Sequence, residues 1–340
     1  MALLKKLGTF TSPSRRTFAA LVTGLVAATG KRTVTGMLGA AGLSRAWSHD
    51  RVHAFFSRAA WNPETLGLAV SHLIVRALLP DGAALSVAVD GTLFKRWGKK
   101  VFGAGWQHDG AAKGSRPAGR GTCFVVLGLI VELPFLTRPV CLPVMARLWQ
   151  PKAGPSKVEL AASMLRLLAV CHRTRAVRVV AGAAYHGPAL RHLPETISIT
   201  TRLPTSAVLY HPAPPRTGRR GRPALKGPRL GTATQLAAIT QFTAARVKRY
   251  GRTGTVHIAE IRCLWVWVLP HLAGARDPAA RGWHGHRLRP GPGHHRPRCP
   301  RRSADHAVRL AMVHRGHLRR GPRPAGGRPG PQPHRERRAP

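Results

Sequence analysis

The stretch that most constrains this chain is Arg178-Val179-Val180-Ala181-Gly182-Ala183-Ala184-Tyr185-His186-Gly187. Its β-branched run predicts a strand over 176–181, stopping at a small-residue turn and leading past Gly187 into a helix. The carboxyl end of such a strand is where an open α/β sheet presents functional groups. A partner lies upstream: Leu85-Ser86-Val87-Ala88-Val89 predicts a second apolar strand, ending at the turn Asp90-Gly91-Thr92.

Other elements are set by spacing and caps. Residues 124–131 and 139–145 predict an antiparallel pair, and 197–203 and 255–265 two more strands. Ser156-Lys157-Val158-Glu159 opens an apolar helix that runs to Cys171. Upstream, 16–28, 31–41 and 48–59 carry apolar residues at three- and four-residue spacing, and Asn62-Pro63-Glu64 opens a further helix through Leu79. Two arrangements fit this helical region. One is a helix-turn-helix built from 33–38, the turn Gly42-Leu43-Ser44 and 48–56, with Arg45, His49, Arg51 and His53 on or beside a recognition helix. The other is a plain bundle with a solvated basic face. Pro80-Asp81-Gly82 marks a turn and a boundary. The chain thus divides into a helical region (1–80), an α/β core (81–267) and a C-terminal stretch (268–340).

The formal charge of +43 on 340 residues selects a polyanionic partner, nucleic acid before an acidic membrane surface. The cations have a pattern. Lys95, Arg96, Lys99, Lys100, Lys113, Arg116 and Arg120 alternate with Trp97, Phe102 and Trp106, a mixture that suits phosphates and unstacked bases. It equally suits a solvated loop whose tryptophans cap a core. Arg219, Arg220 and Arg222 lie in a glycine-rich basic insert that can track phosphates but cannot specify sequence.

No membrane span is expected. Arg15-Arg16 before residues 19–30 imitates a twin-arginine export signal, but that apolar run is short and lacks a small-x-small cleavage site. Cys123, Cys141, Cys171, Cys263 and Cys299 are dispersed and odd in number, and read as reduced thiols of a cytoplasmic protein rather than a disulfide framework or zinc site.

The order of elements, together with the segments 90–109, 138–159 and 179–187, resembles the ribonuclease-H-like core of DDE-superfamily transposases of bacterial insertion sequences. The resemblance spans roughly 10–265 and implies a mixed sheet that holds two Mg²⁺ ions roughly 4 Å apart for phosphoryl transfer at DNA ends. Magnesium needs hard oxygen ligands, which carboxylates supply. The resemblance implies one Asp before Thr92, where this chain has Gly91, another where it has Gly182, and a Glu on a C-terminal helix. Asp90 survives next to the first position and is the candidate catalytic and metal-binding acid, with turn capping as the alternative role. A copy lacking these acids is expected to be inactive, leaving DNA as a partner and self-association open. A non-catalytic DNA-binding protein or transposition inhibitor is the rival reading.

Residues 268–340 hold arginine, proline, glycine and histidine but no lysine. They read either as a disordered nucleic-acid-binding tail or as a GC-rich gene translated out of frame. Codons can be chosen so that a one-base shift after Trp265 converts Val266–His271 into Tyr-Gly-Ser-Phe-His. In the same frame Met312-Val313 forces a Trp, because ATG followed by G contains TGG. Its surroundings then permit Tyr-x-x-Arg-Trp-x-Ile-Glu, similar to the family's glutamate-bearing helix. A single extra base after codon 265 is therefore expected.

Overall fold

The computed structural model describes residues 10–112, 117–151, 153–204, 206–214, 224, 226–249, 252–265 and 308–314. Its first four elements are helices whose starts are written in the sequence. Helix α1 (Ser12–Ala27) has proline in its first turn. The Thr33 side chain caps α2 (Val34–Ala40) and Ser48 caps α3 (His49–Ser57). Asn62 Oδ1 accepts from the N–H groups of Glu64 and Thr65 to open α4 (Pro63–Leu78). Leu21, Met37, Leu38, Val52 and Phe55 form a small core of their own, closed by Phe10, Phe18 and Trp61. Gly24 of α1 is obligatory there, since a Cβ would run into the backbone of Met37. The segment that imitates an export signal is thus a packed helix, with Thr17, Leu21 and Gly24 buried. No helix among the described residues is long and apolar enough to cross a membrane.

The core is a six-stranded mixed sheet. Strand β1 (Leu85–Lys95) pairs antiparallel with β3 (Ala118–Val131) on one side and parallel with β5 (Val177–Ala181) on the other. The outer edge of β3 carries β2 (Ala104–His108) along its first residues and β4 (Val140–Trp149) along the rest. Strand β6 (Ile197–Thr201) lies parallel to β5 at the far edge. The order β4-β3-β1-β5-β6, with the first three antiparallel and the last two parallel to β1, is the ribonuclease-H-like arrangement.

One face of this sheet is fully covered. Leu85, Val87, Val89, Val125, Leu127, Leu129, Val177 and Val179 alternate inward beneath helix α5 (Lys157–Cys171) and part of α4. Each such side chain contributes roughly 1.5–3 kcal/mol by leaving water. The opposite face is lean: Ala88, Val126 and Ile130 are half-buried, and Val180 is 51% exposed.

Three differences from the sequence reading have physical causes. Asp90-Gly91-Thr92 is not a turn. Strand β1 continues to Lys95 because β3 pairs with it without interruption from Ser86 to Lys95. The basic loop is partly strand, since β2 pairs with the amino end of β3. The helix expected after Gly187 is only a 3-10 turn, Pro188–His192. Pro194 closes it, because the residue before a proline is pushed out of helical conformation.

Beyond β6 a second sheet forms from β7 (Val208–Tyr210), β8 (Arg229–Thr232), β9 (Thr243–Arg249), β10 (Arg252–Trp265) and β11 (Val308–His314). A short helix, α6 (Ala233–Ile239), lies between β8 and β9 and starts from a Thr232–Gln235 capping box. Its core holds Leu209, Leu236, Cys263 and Trp265. Within 268–340, Val308–His314 is placed as a strand against β10, and the remainder of that stretch lies outside the described residues.

Candidate active site

The parallel pairing of β1 with β5 sets Val89 against Ala181. Asp90-Gly91 and Gly182 therefore come one step on, side by side at the strand ends. Alternation then separates the neighbours. Val89 and Gly91 share the covered face, whereas Asp90 falls on the lean face and is exposed.

Gly91 is bordered by side-chain heteroatoms. A Cβ there would stand 3.4 Å from the Tyr185 hydroxyl, 3.5 Å from Cys123 Sγ and 3.8 Å from Lys157 Nζ, all ordinary contact distances. Tyr185 is 3% exposed, and its hydroxyl has no hydrogen-bond partner among the described residues. Burial, then the charge of Asp90 and of Cys123, raises its pKa well above the usual phenol value. Lys157 Nζ donates to Gln107 Oε1 at 3.1 Å and lies 4.3 Å above the Trp149 ring. Donors thus face a position that offers them no acceptor.

Gly182 is different: a Cβ there would meet nothing within 4 Å. Its carbonyl accepts from the Tyr185 N–H at 3.0 Å and from Thr201 Oγ1 at 2.9 Å, which fixes the loop that carries Tyr185. His186 Nδ1 donates to the Ala183 carbonyl at 2.6 Å, and its ring lies 5.2 Å from that of Trp265.

Of the sequence candidates, Asp90 stands at the site but is engaged locally, its Oδ1 accepting from the Gly91 N–H at 2.7 Å. Asp109, Glu159 and Glu64 have structural partners. Asp109, 4% exposed, pairs with Lys95 Nζ at 2.9 Å and accepts from the Ala111 N–H. Its pKa is lowered, first by the Lys95 hydrogen bond. Glu159 accepts from the Ser156 N–H and closes the capping box of α5, which lowers its pKa. Glu64 is bound by Arg147, and Glu260 is exposed on β10.

The basic residues divide similarly. Lys95 faces Asp109, whereas Arg96, Lys99 and Lys100 are exposed. They share the connection between β1 and β2 with Trp97 (75% exposed) and Phe102 (74%), and Trp106 (66%) stands on β2. Arg120 Nη1 donates to the carbonyls of Arg96 and Gly98, pinning that connection to β3. Lys113, Arg116, Arg219, Arg220 and Arg222 lie outside the described residues.

Tyr185 and Lys157 were not site candidates in the sequence. Lys157 was visible there only as the first residue after a helix cap, and its approach to Gly91 is set by how α5 crosses the sheet.

Comparison with curated proteins gives no match, and neither does comparison with solved structures. Comparison with protein families gives one that reaches from α1 into the first half of β10 and takes in both strand ends. On its match over residues 7–258, and in agreement with the strand order, this chain belongs to the DDE superfamily endonuclease family.

Proposed function

We propose that this chain is a DNA transposase of the DDE superfamily whose catalytic centre has lost its carboxylates. It would bind DNA without cutting or joining it. The family generally uses divalent metal ions. A pair of Mg²⁺ ions requires several anionic oxygens converging on one place. The donor set here does not fit. Gly91 and Gly182 bring no side chain to the two strand ends, and Asp90 lies on the other face, its carboxylate bound to the Gly91 N–H. What borders Gly91 is the ammonium of Lys157, which has no lone pair to give, and the neutral hydroxyl of Tyr185, which brings no anionic oxygen.

One observation carries this reading. Both glycines occupy backbone that a side chain could share, Gly91 at van der Waals distance and Gly182 in open space. Neither glycine is demanded by packing, so a side chain could stand at either position, which supports reading both as places of a lost acid. Asp and Gly codons differ by one base. The proposed extra base after codon 265 accounts for the missing glutamate helix, and the family match ends shortly before it, at residue 258. The lean face of the sheet fits a fold deprived of a covering segment.

The test is cleavage of DNA carrying the element's ends by the purified chain with Mg²⁺ or Mn²⁺. No nicking and no strand transfer is expected, and metal-dependent nicking that survives re-purification overturns the proposal. The gene sequence around codon 265 tests the frame separately.

The rival, a non-catalytic binder or transposition inhibitor, draws on the retained exposed cluster of Arg96, Lys99, Lys100, Trp97, Phe102 and Trp106. It requires element ends to be bound well above random DNA, whereas a remnant binds both alike with strong salt dependence. Gel-shift titrations at two salt concentrations separate the two.

A further inference from the structure

Away from the strand ends, the junction of α4 with the carboxyl end of α5 gathers three metal-ligating side chains. His72 lies on α4, Cys171 is the last residue of α5, and His172 is its C-cap. One ligand atom from each lies within 4.8 Å of the others. His72 Nε2 stands 2.9 Å from Cys171 Sγ, and the two imidazole rings are 4.6 Å apart. His72 and Cys171 are half-buried, and His172 is 6% exposed.

We propose that His72, Cys171 and His172 form a zinc site that clamps α4 to α5. Zinc takes nitrogen and sulfur donors in tetrahedral sets, at about 2.0 Å for Zn–N and about 2.3 Å for Zn–S. Those bond lengths put ligand atoms roughly 3.3–3.6 Å apart, so the cluster needs to adjust by about an ångström. A two-nitrogen, one-thiolate set is soft enough to prefer zinc over magnesium or calcium. The half-buried side of the cluster leaves water as the fourth ligand.

The strongest support is the hydrogen bonding behind His172. Ser71 Oγ is 2.7 Å from the Leu68 carbonyl and 2.9 Å from His172 Nε2. The hydroxyl has one proton, and a carbonyl can only accept, so that proton goes to Leu68. His172 Nε2 must then carry its own hydrogen and donate it to Ser71, leaving the lone pair on Nδ1. A second ring nitrogen held by a donated hydrogen bond is how metal-binding histidines are oriented. Ser71 is itself fully buried, which makes the arrangement rigid. The site is independent of the transposase reading and would persist in a catalytically dead chain.

The experiment uses the metal-stripped full chain. Zn²⁺ should bind one per chain in competition with a chelating dye, and Co²⁺ should give a thiolate-to-cobalt charge-transfer absorption. Zn²⁺ should also shield Cys171 from alkylation, read by mass spectrometry, while exposed Cys141 stays reactive. Cys171→Ser should remove the cobalt band, and Ser71→Ala, which touches no metal, should weaken Zn²⁺ about 10–100-fold. Replacing the exposed pair His49 and His53 by alanine should leave the cobalt band and the shielding intact. Absence of the band in the unaltered chain, or alkylation of Cys171 at the same rate with and without Zn²⁺, overturns the proposal. The alkylation result needs no variant to fold.

Discussion

The Tyr185 hydroxyl lies 3.4 Å from where a Cβ would stand on Gly91, and it has no hydrogen-bond partner among the described residues. A buried hydroxyl left in that state costs about 1–3 kcal/mol. Tyr185→Phe is therefore expected to leave stability unchanged or raise it by about 1 kcal/mol. In a Gly91→Asp background the sign should reverse. The new carboxylate accepts from the hydroxyl, so removing that hydroxyl should cost about 1–2 kcal/mol. Urea unfolding of the four proteins gives the coupling directly. Equal effects of Tyr185→Phe in both backgrounds would show that position 91 does not address Tyr185.

That relationship was half legible in the sequence. The strand at 177–181, the start of β1, the capping box at Ser156 and Glu159 and the alternating apolar positions of β1 and β3 are local patterns, and the structure has them. The resemblance implies acids where Gly91 and Gly182 stand. What sits around Gly91 could not be read there, because Tyr185, Lys157 and Cys123 come from three separate elements. Local signals also misled where a partner overrode them. Glycine and threonine argue for a turn at 91–92, yet β3 supplies pairing along that whole stretch. Strand β2 has almost no alternation of its own and exists because β3 offers it an edge. His72 meets Cys171 and His172 only through helix packing, and so the cysteines read as plain thiols.

Arg147 on β4 ties both covering helices to the sheet. Its Nε and Nη2 bind Glu64 Oε1 of α4, and its Nη1 donates to Ser163 Oγ of α5. The pair is largely shielded, with side-chain exposures of 26% and 33%. Arg147→Met should cost about 1–3 kcal/mol by leaving Glu64 without its partner. Glu64→Gln with Arg147→Met should recover part of that loss, because no unpaired charge remains. Denaturant midpoints of the single and double variants test this.

Asp109 gives the protein an acid limit. Its pKa is held below the ordinary value of 3.8, chiefly by the hydrogen bond from Lys95. The folded state then binds that proton less readily than the unfolded chain. This contribution is complete above pH 3.8 and is lost as pH falls below it through the folded value. Asp109→Asn should flatten the fall in stability below pH 4 or so and lower stability at neutral pH. Melting curves from pH 3 to 7 or so would show it. A slope unchanged by the substitution would mean that Lys95 does not hold the carboxylate.

The exposed aromatics near β2 should separate DNA binding from folding. Trp97 and Trp106 are 75% and 66% exposed, so their removal takes little from the core. If they stack on unpaired bases, each Trp→Ala change should weaken single-stranded DNA binding by about 1–3 kcal/mol while the melting temperature stays put. Lys99→Ala and Lys100→Ala act through a different quantity. Each phosphate contact contributes about 0.7 to the salt slope on single strands and about 0.9 on duplex DNA, so the slope should fall by that much per lysine. Lys95→Ala should behave unlike either. Its ammonium is engaged by Asp109, and its loss leaves a buried carboxylate unpaired, so stability should drop more than affinity does. Fluorescence titrations at several salt concentrations, run beside melting curves, distinguish the three outcomes. A tryptophan loss that lowers stability but not affinity would return these side chains to the role of core caps.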